Sequence, residues 1–131
     1  MKDHEEINKT DRSVILGKLE VGDIFHGKSK SGGRLTCLVT KINDTHITSR
    51  RVTTQQTFVF DKVTGTSAPT DEHDGGVIES VEPLPVDIHN ILVALDRRYR
   101  LGKNRKESVK LRNEEQEALL FLGDYYEKYP I

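Results

Sequence analysis

Apolar positions alternate with polar ones in short runs between Leu19 and Pro85, and after Pro85 they recur every three or four residues. The first period belongs to strands, whose side chains point to opposite faces, and the second to the apolar face of a helix. Ile24 and Phe25 follow Val21-Gly22-Asp23, and Gly27 with Ser31-Gly32-Gly33 supplies turn residues. Leu35 to Ile42 is rich in β-branched residues, with Leu35, Cys37 and Val39 on one face and Leu38 and Ile42 on the other. Asn43-Asp44-Thr45 makes a turn into a half-exposed strand from Ile47 to Thr54. Thr57 to Val63 then carries Phe58 and Phe60 on one face and Val59 on the other. Val77 to Val81 is the last strand, stopped by Pro83 and Pro85. Pro69, Asp71, Asp74, Gly75 and Gly76 predict an exposed, mobile loop over residues 66–76.

Beyond Pro85, Ile88, Ile91, Leu92, Leu95 and Tyr99 share one helix face, with Asp87 at the cap and Gly102 just past the last periodic residue. A second helix is predicted to begin near Asn113, with Gln116 at capping-box distance. Its stripe is Ala118, Phe121, Leu122, Tyr125 and Tyr129, and Pro130 ends it. Glu114, Glu115 and Glu117 suit the positive end of that helix. Ahead of the strands, the polar run to about residue 12 reads as frayed. Thr10 or Ser13 caps a short helix through Val14, Ile15 and Leu16 that ends at Gly17.

The expected fold class is therefore α+β: a small five-stranded antiparallel β-barrel or bent sheet, followed by a C-terminal helical pair. Residues 1–18 form a flexible segment or short helix, 19–85 the barrel, and 86–131 a helical hairpin packed on it. In strand count and spacing the barrel is similar to Src-homology-3-like barrels. That resemblance spans about half of the chain and implies a fold, not an activity.

Composition narrows the function classes. A chain of 131 residues fits one domain. With 34% hydrophobic and 31% charged residues and no Trp, it does not promise the large core and deep pocket of an enzyme. Cys37 stands alone, so neither an intramolecular disulfide nor a cysteine metal knuckle is available, which favours a reducing compartment. The charged start Met1-Lys2-Asp3-His4-Glu5-Glu6 is no secretory signal, and no apolar run approaches the roughly 20 residues of a membrane span. The expectation is a soluble, cytoplasmic protein.

One string matches a catalytic pattern. Gly22-Asp23-Ile24-Phe25-His26-Gly27-Lys28-Ser29 has the spacing of a phosphate-binding loop, whose amides cradle phosphates while Lys and Ser reach phosphate and magnesium. That chemistry needs a strand before the loop and a helix after it. Here Ile24 and Phe25 are strand residues, and Ser31-Gly32-Gly33 breaks any helix, so the match reads as coincidence. His4, His26, His46, His73 and His89 show no metal-ligand spacing, and His73 among Asp71, Glu72 and Asp74 reads as a solvated loop. Cys37, inside an apolar alternation, reads as a buried thiol rather than a nucleophile paired with His26 or His46. No catalytic residue, metal or cofactor is assigned.

Net charge is −1, but the sequence from Arg97 to Arg112 concentrates Arg97, Arg98, Arg100, Lys103, Arg105, Lys106, Lys110 and Arg112 against the single acid Glu107. With Arg50 and Arg51 from a strand, these form a candidate nucleic-acid footprint, and Tyr99 is available to stack on a base. The competing reading pairs them with Glu114, Glu115 and Glu117 in the same chain. The last helix is apolar on more than one side, since Leu119, Leu120 and Tyr126 lie off its main stripe, which points to a second packing partner. The leading expectation is a non-enzymatic binding or adaptor protein. It acts through contacts with another protein or a second copy, and touches no membrane. The alternative is a nucleic-acid-binding accessory protein using the 97–112 stretch.

Overall fold

The computed structural model describes residues 11–131. The Thr10 cap, His4 and the reading of residues 1–10 as frayed lie outside that range. Residues 11–16 are helical (α1), and Gly17 donates its N–H to the Ser13 carbonyl at 2.9 Å. The strands are β1 (Ile24–Ser29), β2 (Arg34–Ile42), β3 (His46–Arg51), β4 (Thr57–Asp61), β5 (Thr66–Ser67) and β6 (Gly76–Ser80). Two helices follow, α2 (Val86–Arg105) and α3 (Asn113–Glu127). The strands make one antiparallel sheet in the order β4-β3-β2-β1-β6-β5, curled into a nearly closed barrel whose seam lies between β4 and β5.

The sixth strand corrects the expected five. β5 has two residues, too few for a period to register, and it falls within the stretch read as a mobile loop. The rest of that stretch is tied down. The His73 ring stacks on Phe58 with centroids 3.6 Å apart and bonds through Nε2 to the Thr57 carbonyl at 3.0 Å. Gly75 donates its N–H to His73 Nδ1 at 3.0 Å, and Gln56 Nε2 donates to the Glu72 carbonyl at 2.6 Å. Residues 68–75 are thus a strap across the seam.

Alternation builds two cores. Phe25, Leu35, Cys37, Val39, Ile47, Phe58, Phe60 and Ile78 fill the barrel, and Leu16 and Leu19 close its end. The outward residues Ile24 and Val52, with Leu38, meet Leu92 and Leu95 of α2 and Ala118, Leu122 and Tyr126 of α3. Full burial of each such side chain is worth about 1.5–3 kcal/mol, so the helices are held by an apolar sandwich rather than by propensity.

Three local expectations shift. Pro85 stands at the N-cap of α2 and Asp87 lies in its first turn. The helix runs through Gly102 and stops at Lys106, which is left-handed at φ 56. Gly102 is instead a packing glycine: a Cβ there would stand 2.6 Å from Val109 Cγ2 and 3.0 Å from the Glu107 carbonyl oxygen, where the chain doubles back. The capping interaction of α3 comes one residue early, since the Arg112 N–H donates to Glu115 Oε1 at 2.8 Å.

Candidate functional site

The structure divides the basic candidates. Arg50 on β3 forms a two-pronged pair with Asp96 of α2, Nε to Oδ1 at 3.0 Å and Nη2 to Oδ2 at 2.7 Å. Gln55 Nε2 adds a third hydrogen bond to Oδ1 at 2.9 Å. Burial pushes the Asp96 carboxyl up, but the bonds from Arg50 and Gln55 outweigh it and hold the group below the usual carboxylate range. Arg98 is likewise paired with buried Glu115, and its Nη2 reaches the Lys110 carbonyl at 3.0 Å. Burial raises the Glu115 carboxyl too, and the bonds from Arg98 and the Arg112 amide prevail, leaving it lowered. Arg51 bonds the Arg34 carbonyl at 2.9 Å. These contacts tie the helices to the barrel and to each other. Arg97, Arg100, Lys103, Arg105, Lys106, Lys110 and Arg112 are exposed, and none of them forms an ion pair among the described residues.

The three off-stripe residues of α3 separate as well. Tyr126 is 3% exposed and belongs to the helix–barrel core, so it is not part of an open surface; Leu119 is half-buried beside it. The helix settles on the barrel through Ala118, Leu122 and Tyr126, which turns the expected stripe partly outward. Leu120 is 76% exposed and Phe121 39%. Phe121, Tyr125 and Tyr129 form a row of rings with centroids 5.2 Å and 5.3 Å apart.

The phosphate-loop string is mostly strand. Residues 24–29 are β1, laddered to β2 on one side and to β6 on the other, so their amides are committed to the sheet. Ser29 Oγ accepts from the Gly33 N–H at 2.8 Å within the following turn. Cys37 is fully buried, and burial pushes its thiol up to about 12. It pairs with Phe25 in the ladder whereas His26 pairs with Thr36, so the pleat puts the sulfur and the His26 imidazole on opposite faces. His46 is exposed, and both ring nitrogens of His73 are engaged by the strap. Among the described residues no group of three or more His, Cys, Asp or Glu side chains is placed to hold a metal ion, and no helix is long and apolar enough to cross a membrane.

What sequence reasoning missed is a cavity of about 420 Å³ where the end of α3 crosses β1, lined by His26, Lys28, Arg34, Glu79, Tyr126 and Glu127, with Gly32, Gly123 and Pro130. His26 stacks on Tyr126 with centroids 5.1 Å apart. Its Nδ1 lies 3.9 Å from Glu79 Oε1, while its Nε2 and the Tyr126 hydroxyl are buried without a hydrogen-bond partner. Burial lowers the His26 imidazole and Arg34 lowers it further, against the pull of Glu79. Burial also raises the Tyr126 phenol. The β1–β6 register shifts beside His26, pairing it with Ser80 and Gly27 with Ile78, which leaves Glu79 as a bulge residue. Bulges re-aim side chains, and this one brings Glu79 to the imidazole. One signal was available: His26 and Lys28 share a face by strand period.

Comparison with known protein families, with curated proteins and with solved structures finds no match.

Proposed function

We propose that this protein is a non-enzymatic binding module, a Src-homology-3-like barrel carrying a helical hairpin, which acts in the cytoplasm through protein–protein contacts. The observation that carries the reading is the exposed face of α3. Leu120 is 76% exposed, and next to it in the chain Phe121 begins the half-open ring row Phe121, Tyr125 and Tyr129. Large exposed apolar side chains on one element are what a partner or a second copy covers. The single thiol agrees with a reducing compartment. A photo-crosslinking residue installed at Phe121 is expected to give, in cells, one discrete adduct whose mass identifies a dimer or one partner. Leu120→Asp is expected to abolish that adduct. No adduct at 121, or one indifferent to Leu120→Asp, ends the proposal.

A second reading rests on the second half of α2 and the turn after it, where seven exposed cations (Arg97, Arg100, Lys103, Arg105, Lys106, Lys110 and Arg112) enter no ion pair among the described residues. Such a surface takes phosphates with a steep salt dependence. Fluorescence anisotropy with single- and double-stranded DNA and RNA is expected to show binding at low salt that Arg97→Gln with Arg100→Gln weakens by several-fold. Absence of binding at low salt removes this reading and leaves the first intact.

A further inference from the structure

We propose that the cavity between β1 and the end of α3 is a binding site for a small organic anion, its carboxylate or phosphate group held between Lys28 and Arg34. The two residues are direct cross-strand partners on β1 and β2, and both line the cavity. Like charges directly opposite each other destabilise a sheet. Neither has a carboxylate within ion-pair distance among the described residues. An anion placed between them turns that repulsion into two charge-assisted hydrogen bonds.

A second observation, independent of the cations, also points to a ligand. Buried polar atoms are nearly always satisfied, yet His26 Nε2 and the hydroxyl of Tyr126, itself 3% exposed, border the same cavity without partners. Two orphaned polar groups on stacked rings are a standing cost to the fold, and a ligand oxygen reaching them offsets it. Gly123 makes room for the guanidinium against the helix: a Cβ there would stand 2.9 Å from Arg34 Cζ, so any larger residue would push Arg34 away from α3. Glu79 and Glu127 on the remaining rim repel a polyanion and limit the ligand to one anionic end. The site is therefore distinct in chemistry from the seven cations of α2 and the turn after it.

Binding should be linked to a proton. The groups facing His26 are Lys28 on its own strand, Arg34 from β2, Glu79 from β6, and Tyr126 and Glu127 from α3. Without ligand, burial lowers the pKa of the imidazole, with Arg34 acting the same way against Glu79. With an anion at Nε2 and the Glu79 carboxylate 3.9 Å from Nδ1, the imidazolium has a negative charge on each side, so ligand binding raises its pKa. Affinity then rises as pH falls through the His26 range.

The test titrates sulfate, which stands in for a phosphate group and does not itself titrate near neutrality, and separately acetate, into the whole protein with labelled histidines observed by NMR. The His26 ring signals are expected to shift saturably with at least one anion, and more tightly at pH 6 than at pH 8. Sulfate alone points to a phosphate ligand and acetate alone to a carboxylate. Lys28→Gln and Arg34→Gln, both exposed and tolerable to the fold, are each expected to weaken binding about tenfold or more, and Tyr126→Phe to weaken it less. Arg97→Gln with Arg100→Gln leaves it unchanged. The proposal is overturned if His26 responds to neither anion, or if its response has the same midpoint in Lys28→Gln and Arg34→Gln as in the wild type.

Discussion

Replacing Arg50 by Met is expected to destabilise the protein by about 3–5 kcal/mol at pH 7, among the largest effects of any single change, because it strands a buried carboxylate. Met keeps the aliphatic stem packed and removes only the charge and its two bonds to Asp96. The Asp96 side chain is 3% exposed, and Gln55 alone then remains to solvate it. Asp96→Ala is the milder change, since the Arg50 side chain is 22% exposed and can turn its charge to water. The two variants also differ in pH response. In the wild type the Asp96 carboxyl lies below its ordinary value, so its contribution is fully present above about pH 4 and lost as pH falls through the folded value. Without Arg50, burial, the largest cause, is opposed only by the Gln55 bond and the charge of Arg100, and raises it. The native state then holds a proton that the unfolded chain has lost, and stability declines as pH rises above about 4. Urea unfolding at pH 7 and pH 4.5 reads both expectations. The deficit of Arg50→Met should shrink at the lower pH, and a deficit that stays constant would sink the argument.

That pair also shows why the basic residues were only half legible in the sequence. A run of cations announces itself, but which of them meet an acid depends on how α2 lies across β3, and no spacing encodes that crossing. Asp96 sits on the helix face next to Leu92 and Leu95 and looks like an ordinary polar boundary residue until the barrel is packed against it. The strands were readable because β-branched alternation is local: Leu35, Cys37 and Val39 face inward as the period requires. The helices were readable for the same reason. Three other features depend on the assembled fold. β5 is too short to carry a period. Gly102 resembles a helix terminator, yet it marks a close approach by Glu107 and Val109, which only the returning chain reveals. The cavity beside His26 needs a bulge, a cross-strand cation pair and a helix end to converge, of which the sequence displays only the shared face of His26 and Lys28.

Phe60→Ala is expected to cost about 3–5 kcal/mol and Phe58→Ala to fall at the low end of that range, although both side chains are fully buried in the same strand. The cost of such a truncation is the lost transfer energy plus a term for the cavity that remains, so it depends on whether the neighbours can close in. Phe60 is enclosed by the barrel itself: Phe25 meets it edge-on at 5.3 Å and Phe58 stacks beside it at 5.9 Å. Those rings belong to β1 and β4, which their ladders hold at fixed spacing, so the hole stays open. Phe58 has a different outer neighbour. Its far face is covered by His73, carried on the strap over residues 68–75, and a strap held by a few hydrogen bonds can sink into the space that a ladder cannot. The same displacement breaks the contacts of His73 with Thr57 and Gly75. Phe58→Ala should therefore accelerate hydrogen exchange at the Gly75 amide, whereas Phe60→Ala, at matched conditions below the unfolding transition, should leave that amide protected. Urea midpoints in the reverse order, or equal exchange at Gly75 in the two variants, would mean that residues 68–75 are as rigid as the strands they cover.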